Sequence, residues 1–415
     1  MNDWVVHSLS ELVSFQKGRK VITSPFPLSG YEPYLGAGAL SGNNDGYACS
    51  TFAVKANEED ILMLWDGERS GLCCSGLNGV VSSTVCKLTP KKGIRSDLLY
   101  YLLVNNYQWI QSRRTGTGVP HVPKDLGRIL HIKYPKCLKV QKKIADILKT
   151  VDQAIENTNF LINKYQKIKA GMMYDLFTRG VDSNGRLRQT RAQQPYLYKK
   201  TSIGWIPKEW DVQQCSQLCS RITVGIVIQP TKYYVEEGVP AFRSANVRED
   251  GLDSYNLVYI SPFSNALLSK SQIKTGDILS VRTGYPGTSA VVPDEFNGCN
   301  CIDILISSPK DSVDKNYLCF WINSSFGKEQ VLRLQGGMAQ QHFNVGEMRQ
   351  LLVAVPSINE QIIISDKLMA CSSKIKNEKE ILNKLIRTKS GLMHDLLNGK
   401  VRVRLADTSM ESSHV

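Results

Sequence analysis

"KAGMMYDLF" at 169–177 and "KSGLMHDLL" at 389–397 share one frame, K-x-G-x-M-x-D-L, placed 220 positions apart in a chain of 415 residues. Extending both stretches backwards without gaps aligns Gln141–Phe177 with Gln361–Leu397 and gives 13 identities in 37 positions, among them Ile144/Ile364, Leu148/Leu368, Ile155/Ile375, Asn163/Asn383, Lys164/Lys384 and Gly171/Gly391. A period this long marks a duplicated domain, because solenoid repeats recur every 20–50 residues or so.

Both copies read as long helices. Apolar residues fall at Ile144, Leu148, Val151, Ile155, Ile162 and Tyr165 in the first, and at Ile364, Leu368, Cys371, Ile375, Leu382 and Leu385 in the second. The steps alternate four and three, which is a heptad seam. Thr158 and Glu378 interrupt it at matching places, and the phase slips at Lys169 and Lys389. Pro135 and Pro356 stand upstream of each helix, and Gly180 and Gly399 punctuate the far ends. A helix of about 40 residues is about 60 Å long, and a seam so narrow needs a partner helix. The other copy is the nearest partner, so the expectation is an antiparallel pair related by a pseudo-two-fold axis.

The duplication extends, more weakly, into the globular parts. "DWVVHSLSEL" at 3–12 matches "EWDVQQCSQL" at 209–218, and "DILMLWDG" at 60–67 matches "DILSVRTG" at 277–284. "NGVVSSTVCKLTP" at 78–90 lines up with "NGCNCIDILISSP" at 297–309, and His121 aligns with His342. Short apolar and β-branched runs broken by Gly, Pro and Asn predict mixed helix and strand. The expected class is α+β: two mixed domains at 1–135 and 208–355, long helices at 136–179 and 356–398 forming an antiparallel coiled coil, a connector at 180–207 and a tail at 399–415. The connector, "TRGVDSNGRLRQTRAQQPYLYKK" at 178–200, is polar, basic and rich in turn residues.

Composition narrows the function. The chain is 42% hydrophobic and 21% charged, as in globular proteins. It has no signal-peptide pattern at the start and no apolar run near the roughly 18 residues of a membrane span, which predicts a cytoplasmic protein. The eleven cysteines have no metal-ligand spacing and read as reduced, mostly buried thiols. The net charge of +13 is uneven: Lys+Arg minus Asp+Glu is 14−11 = +3 for 1–135, 14−5 = +9 for 136–200, 12−14 = −2 for 201–346 and 11−8 = +3 for 347–415. A concentrated basic segment suits a polyanion.

Catalytic constellations are missing. There is no G-x-x-x-x-G-K-[ST] loop, no G-x-G-x-x-G and no G-x-S-x-G elbow; "LGAGALSG" at 35–42 is only a G-x-G turn. The six histidines are scattered, and Asp175 and Asp395, repeated near the helix ends, look structural. No catalytic and no metal-binding residue is assigned.

Taken together, "QKKIADILKTVDQAIENTNFLINKYQKIKAGMMYDLFTRGVDSNGRLR" at 141–188, "TSIGWIPKEW" at 201–210, "DILSVRTGYPGTSAVV" at 277–292 and "QQHFNVGEMRQL" at 340–351 resemble the specificity (S) subunit of type I restriction–modification enzymes. The resemblance covers nearly the whole chain. It implies two target-recognition domains, each reading one half of a split, asymmetric sequence in double-stranded DNA, with the helices setting the spacing. It also implies partners: two modification (methyltransferase) subunits carrying S-adenosylmethionine for adenine methylation, and two restriction subunits driven by ATP and Mg in the full phage-defence complex. The chain itself would bind no cofactor and catalyse nothing. The first domain departs from the pattern, with "LWDGERSGLCCSG" where the second has "VRTGYPGTSAVV".

Arginine bridges the two acceptors of guanine, and Asn or Gln pairs with adenine, so Arg with Asn or Gln in Gly-rich loops marks candidate readers. In the second domain these are Arg243, Asn246, Arg248, Arg282, Tyr285, Gln340, Gln341, His342 and Asn344. In the first they are Lys17, Arg19, Lys20, Asn43, Asn44, Arg69, Arg113, Arg114, His121 and Lys124. The helix-pairing candidates are Ile144, Leu148, Val151, Ile155, Ile162, Tyr165, Ile364, Leu368, Ile375, Leu382 and Leu385.

Overall fold

The computed structural model describes residues 4–116, 118–334 and 342–405. The chain divides into two units. Unit 1 is Met1–Asn159 with Ile381–Val415, and unit 2 is Phe160–Glu380. The two long helices, Leu138–Arg179 and Ile358–Leu397, each contribute one part to either unit.

Unit 1 contains β1 (Trp4–Ser8), β2 (Val13–Lys17), β3 (Thr23–Ser24), β4 (Tyr31–Leu35), β5 (Tyr47–Cys49), β6 (Lys55–Ala56), β7 (Ile61–Leu64), β8 (Cys73–Ser75), β9 (Gly79–Val81), β10 (Val85–Pro90) and β11 (His131–Pro135). One sheet has the order β2-β10-β7-β8 and another β3-β5-β4-β9-β6, while β1 pairs antiparallel with β11. In β7 every side chain is buried, the continuous apolar run of a strand covered on both faces. The helix Ser96–Asn105 buries Leu98, Leu99, Tyr101, Leu102 and Leu103 in the same core.

Unit 2 repeats this plan. It holds β12 (Tyr198–Thr201), β13 (Gly204–Pro207), β14 (Asp211–Gln214), β15 (Cys219–Val224), β16 (Tyr234–Val235), β17 (Val239–Phe242), β18 (Val247–Arg248), β19 (Gly251–Leu252), β20 (Val258–Ile260), β21 (Ile278–Val281), β22 (Ser289–Val291), β23 (Asn300–Cys301), β24 (Ile304–Pro309) and β25 (Leu352–Val355). Its sheets run β15-β24-β21-β22 and β16-β20-β17-β23, and β14 pairs with β25. The first sheet repeats the unit 1 order in full, and the second repeats its first four strands but has no strand in the place of β6. Each second sheet holds one parallel pair, β4 with β9 and β17 with β23.

Two glycine pairs explain sequence features that recur. Gly18 and Gly225 both press against a backbone carbonyl at the end of the matching strand: an added Cβ would lie 2.1 Å from the oxygen of Ser82 and 2.4 Å from that of Cys301. Gly180 and Gly399 follow the long helices in the left-handed region, with φ of 62° and 70°. Each backs onto a tryptophan, Trp210 for Gly180 and Trp4 for Gly399. The repeated Trp and the repeated Gly are thus two halves of one contact.

Within unit 1, Val140, Ile144 and Leu148 of the first long helix share a core with Leu396 and Leu397 of the second, and Asp152 pairs with Lys389 at 2.6 Å. Within unit 2, Leu176 and Phe177 share a core with Ile364 and Leu368, and the Cys371 thiol donates to the Tyr165 carbonyl at 3.8 Å. Ile144, Leu148, Ile162, Ile364, Leu368 and Ile375 are buried, and Val151, Ile155, Tyr165, Leu382 and Leu385 half-buried. Thr158, which interrupts the seam, donates its hydroxyl to the Ala154 carbonyl and so leaves no unpaired polar group.

In unit 2 the chain leaving the first helix is held by a buried polar knot. Glu360, 8% exposed, accepts from the Val181 amide at 2.8 Å, from Arg188 at 2.5 and 3.1 Å, and from the Trp210 indole at 3.1 Å. Burial works against the Arg188 cation, but its bonds to Glu360 and the charges of Glu360 and Glu209 raise its pKa overall. In the gapless repeat alignment Val140 stands where Glu360 does, so only one copy carries this device.

Candidate nucleic-acid interface

The end of β7 and the end of β21 occupy corresponding places and gather the candidate residues. In unit 1 the Trp65 carbonyl accepts from the Val122 amide at 2.9 Å; in unit 2 the Arg282 carbonyl accepts from the Phe343 amide at 3.0 Å. The residues before these donors are His121 and His342, so the histidine alignment reflects one backbone contact made twice.

In unit 1 that contact builds a polar hub. Asp66 takes Lys17 at 2.8 Å on one oxygen and the His121 ring at 2.8 Å on the other. Arg69 donates to the Ser41 hydroxyl at 2.8 Å and the Ala37 carbonyl at 3.4 Å, fixing the loop that carries Asn43 and Asn44. Asn44 caps its own turn by accepting from the Gly46 amide. Arg113 stacks over Trp109 at 3.9 Å, while Arg114 donates to the carbonyls of Gln111 and Glu68. Arg19, Lys20 and Lys124 are exposed. Sequence reasoning missed Asp66, whose partners lie 49 and 55 residues away; no local signal marks it.

In unit 2 Arg282 is only 16% exposed in its side chain, pairs with Asp303 and donates to the Phe343 carbonyl at 3.3 Å. Asn246 is buried, and its amide is spent inside its own loop: it accepts from the Arg243 amide and donates to the carbonyls of Asp253 and Tyr255. Arg243 donates to the Asn256 carbonyl, and Arg248 pairs with Asp253 at 3.1 Å. Asn344 caps the helix Val345–Gln350 in a reciprocal box with Glu347. The Arg and Asn pattern therefore marks a loop that braces itself as well as one that presents cations. Tyr285 and His342 are exposed; Gln340 and Gln341 lie outside the described residues.

Arg248 and Tyr285 also line a cavity of about 820 Å³ with Lys169, Tyr174, Lys328 and Lys379. Burial pushes the Lys169 ammonium below its usual pKa, and it sits 5.1 Å over the Phe320 ring. Lys379 grips Asp250 at 2.6 Å, and Lys328 pairs with Glu249.

The cysteines are free thiols, and burial raises Cys86 to about 11 and Cys319 to about 12, too high to supply a thiolate near neutral pH. Among the described residues no cluster of His, Cys, Asp or Glu could hold a metal, and no helix is long and apolar enough to cross a membrane.

Two copies of one sheet arrangement, each with cations at the same strand end, are the architecture that the family comparison then names. The model for the type I restriction modification DNA specificity domain matches residues 1–170 and again 207–387. The chain belongs to this family. The MjaVIII specificity subunit of Methanocaldococcus jannaschii is 29% identical, over 97% of this chain and 94% of that protein. The EcoBI specificity subunit of Escherichia coli is 21% identical over 79% of this chain and 70% of its own length. The fold is shared with the type I S subunit of M. genitalium, at a TM-score of 0.65 and 15% identity over 97% of both chains. A chain from work on assembly and conformational transition of the type I R-M system gives 0.52 at 16% identity, over 96% of this chain and 98% of that one. The type I specificity family thus accounts for both halves of the duplication.

Proposed function

We propose that this chain is the DNA-sequence-reading, non-catalytic subunit of a type I restriction–modification complex, with unit 1 and unit 2 each reading one half of an asymmetric bipartite target. The observation that carries this reading is the twice-matched specificity domain on a duplicated sheet frame whose loops differ. Equal frames supply equal docking, and unequal loops supply unequal half-sites. The long helices form an antiparallel strut that sets the distance between them; the opposed order of shared residues within each unit supports this.

Chemistry then belongs to partners. Two modification subunits carry S-adenosylmethionine and methylate adenine, and two restriction subunits consume ATP with Mg in the cytoplasm. The absence of a Walker loop or nucleophile elbow in the sequence is consistent with that division.

The test is methyl transfer with labelled S-adenosylmethionine, using the chain alone, the modification subunits alone and the two together. Transfer is expected only from the combination, and only on DNA containing the target. Transfer by the isolated chain, or by the modification subunits without it, contradicts the proposal.

A further inference from the structure

We infer that Phe52 is a wedge that inserts between base pairs of the half-site read by unit 1. The inference rests on the DNA-reading function proposed above.

Phe52 stands third in the turn Ser50–Ala53, closed by the Ala53 amide donating to the Ser50 carbonyl at 3.3 Å. Its φ is +58°, a conformation that glycine or asparagine adopts at little cost and a bulky residue does not. The ring is 93% exposed, so no packing within the protein offsets the strain. A strained backbone that holds a large apolar ring in water is an observation from which function can be argued.

The surroundings point to nucleic acid. The Cys49 amide donates to the Ile22 carbonyl at 2.9 Å, which brings exposed Ile22, preceded by exposed Arg19 and Lys20, to the same end of the β3-β5-β4 ribbon. The acid on the adjoining strand, Glu32, is neutralised by Lys55 at 2.7 Å. An exposed ring at the strand end shared with exposed Ile22, two residues on from Lys20 in the chain, suits a base step bordered by phosphates, where apolar wedges unstack base pairs while cations hold the backbone.

Unit 2 repeats the feature. Phe52 lies three residues past β5; Phe263 lies three residues past the corresponding β20 and is 74% exposed. The local backbone differs, since Phe263 starts a short helix, Pro262–Leu267. The same place in the frame therefore carries an exposed phenylalanine twice, on unrelated loops.

The experiment uses the full chain assembled with its modification subunits, and duplexes containing the methylation-mapped target with 2-aminopurine scanned through both half-sites. Wild type, Phe52→Gly and Phe52→Trp are compared. Glycine relieves the left-handed strain, so its thermal midpoint should equal or exceed that of wild type. Its specific affinity should nevertheless fall at least about fivefold, the loss expected for one stacked ring. The fluorescence rise at one step of one half-site should vanish, and Phe52→Trp should keep both. Unchanged affinity and fluorescence in Phe52→Gly overturn the wedge, as does weaker binding of the modification subunits with DNA contacts intact, which makes the ring a protein contact. Failure of wild type to prefer the target sinks the DNA-reading function itself, and the wedge with it.

Discussion

Arg282 is held by two neighbours at once, the Asp303 carboxylate and the Phe343 carbonyl, and neither could be foreseen from the "RTGYPG" loop in which it stands. An arginine so braced is pre-oriented, with less side-chain entropy left to lose on meeting a base. Arg282→Ala is expected to weaken specific binding by about 1–3 kcal/mol, mostly at one position of the target. Competition assays with single-base-pair substitutions check this; uniform weakening across all sequences would make it a phosphate contact. Glu360 makes the opposite case, a charge with a purely internal role. Removing it leaves Arg188 inside without its main partner, so Glu360→Ala should cost about 3–5 kcal/mol in urea unfolding of the chain. At this scale the sequence was half legible. Residue types identified exposed cations such as Arg19 and Lys20, but Asn246 and Asn344 turned out to be engaged in shaping their own loop and helix end. The acids Asp66, Asp303 and Glu360 pair with residues far away in sequence, which no local pattern encodes.

Elements were more legible than residues, because periodicity is a property of many positions at once. The apolar spacing that begins at Ile144 and at Ile364 predicts long helices, and the chain forms Leu138–Arg179 and Ile358–Leu397. The strands were read only as short runs: their order depends on pairings such as β4 with β9 that join residues about 45 apart. If the helices act as a ruler, deleting one heptad from each should shorten the gap between half-sites by about three base pairs, leaving both half-sites unchanged. Methylation mapping of the deletion variant reads the gap directly, and an unaltered gap removes the ruler. The clamp of Asp250 on Lys379 ties the loop after β18 to the second long helix. Burial opposes ionisation of Asp250, yet the hydrogen bond and charge of Lys379 outweigh it and lower the pKa. A depressed carboxylate stabilises the fold above its unfolded pKa of about 4, and that stability is lost as pH falls through the folded value. Asp250→Asn should therefore lower the melting temperature at neutral and alkaline pH and flatten the acid side of its profile, so that variant and wild type converge at low pH.

For the whole molecule, duplication explains the economy of the design. A frame written twice places two domains without two folding problems, while most positions have diverged, among them the stretches "LWDGERSGLCCSG" and "VRTGYPGTSAVV" at the matching strand ends. The central claim is that the two units read different sequences at a fixed separation. Single-molecule mapping of methylated bases, in cells expressing this chain with its modification subunits, tests it most directly. The account predicts two unlike half-sequences separated by a constant, unread gap; an uninterrupted site, or methylation indifferent to the presence of this chain, would contradict it.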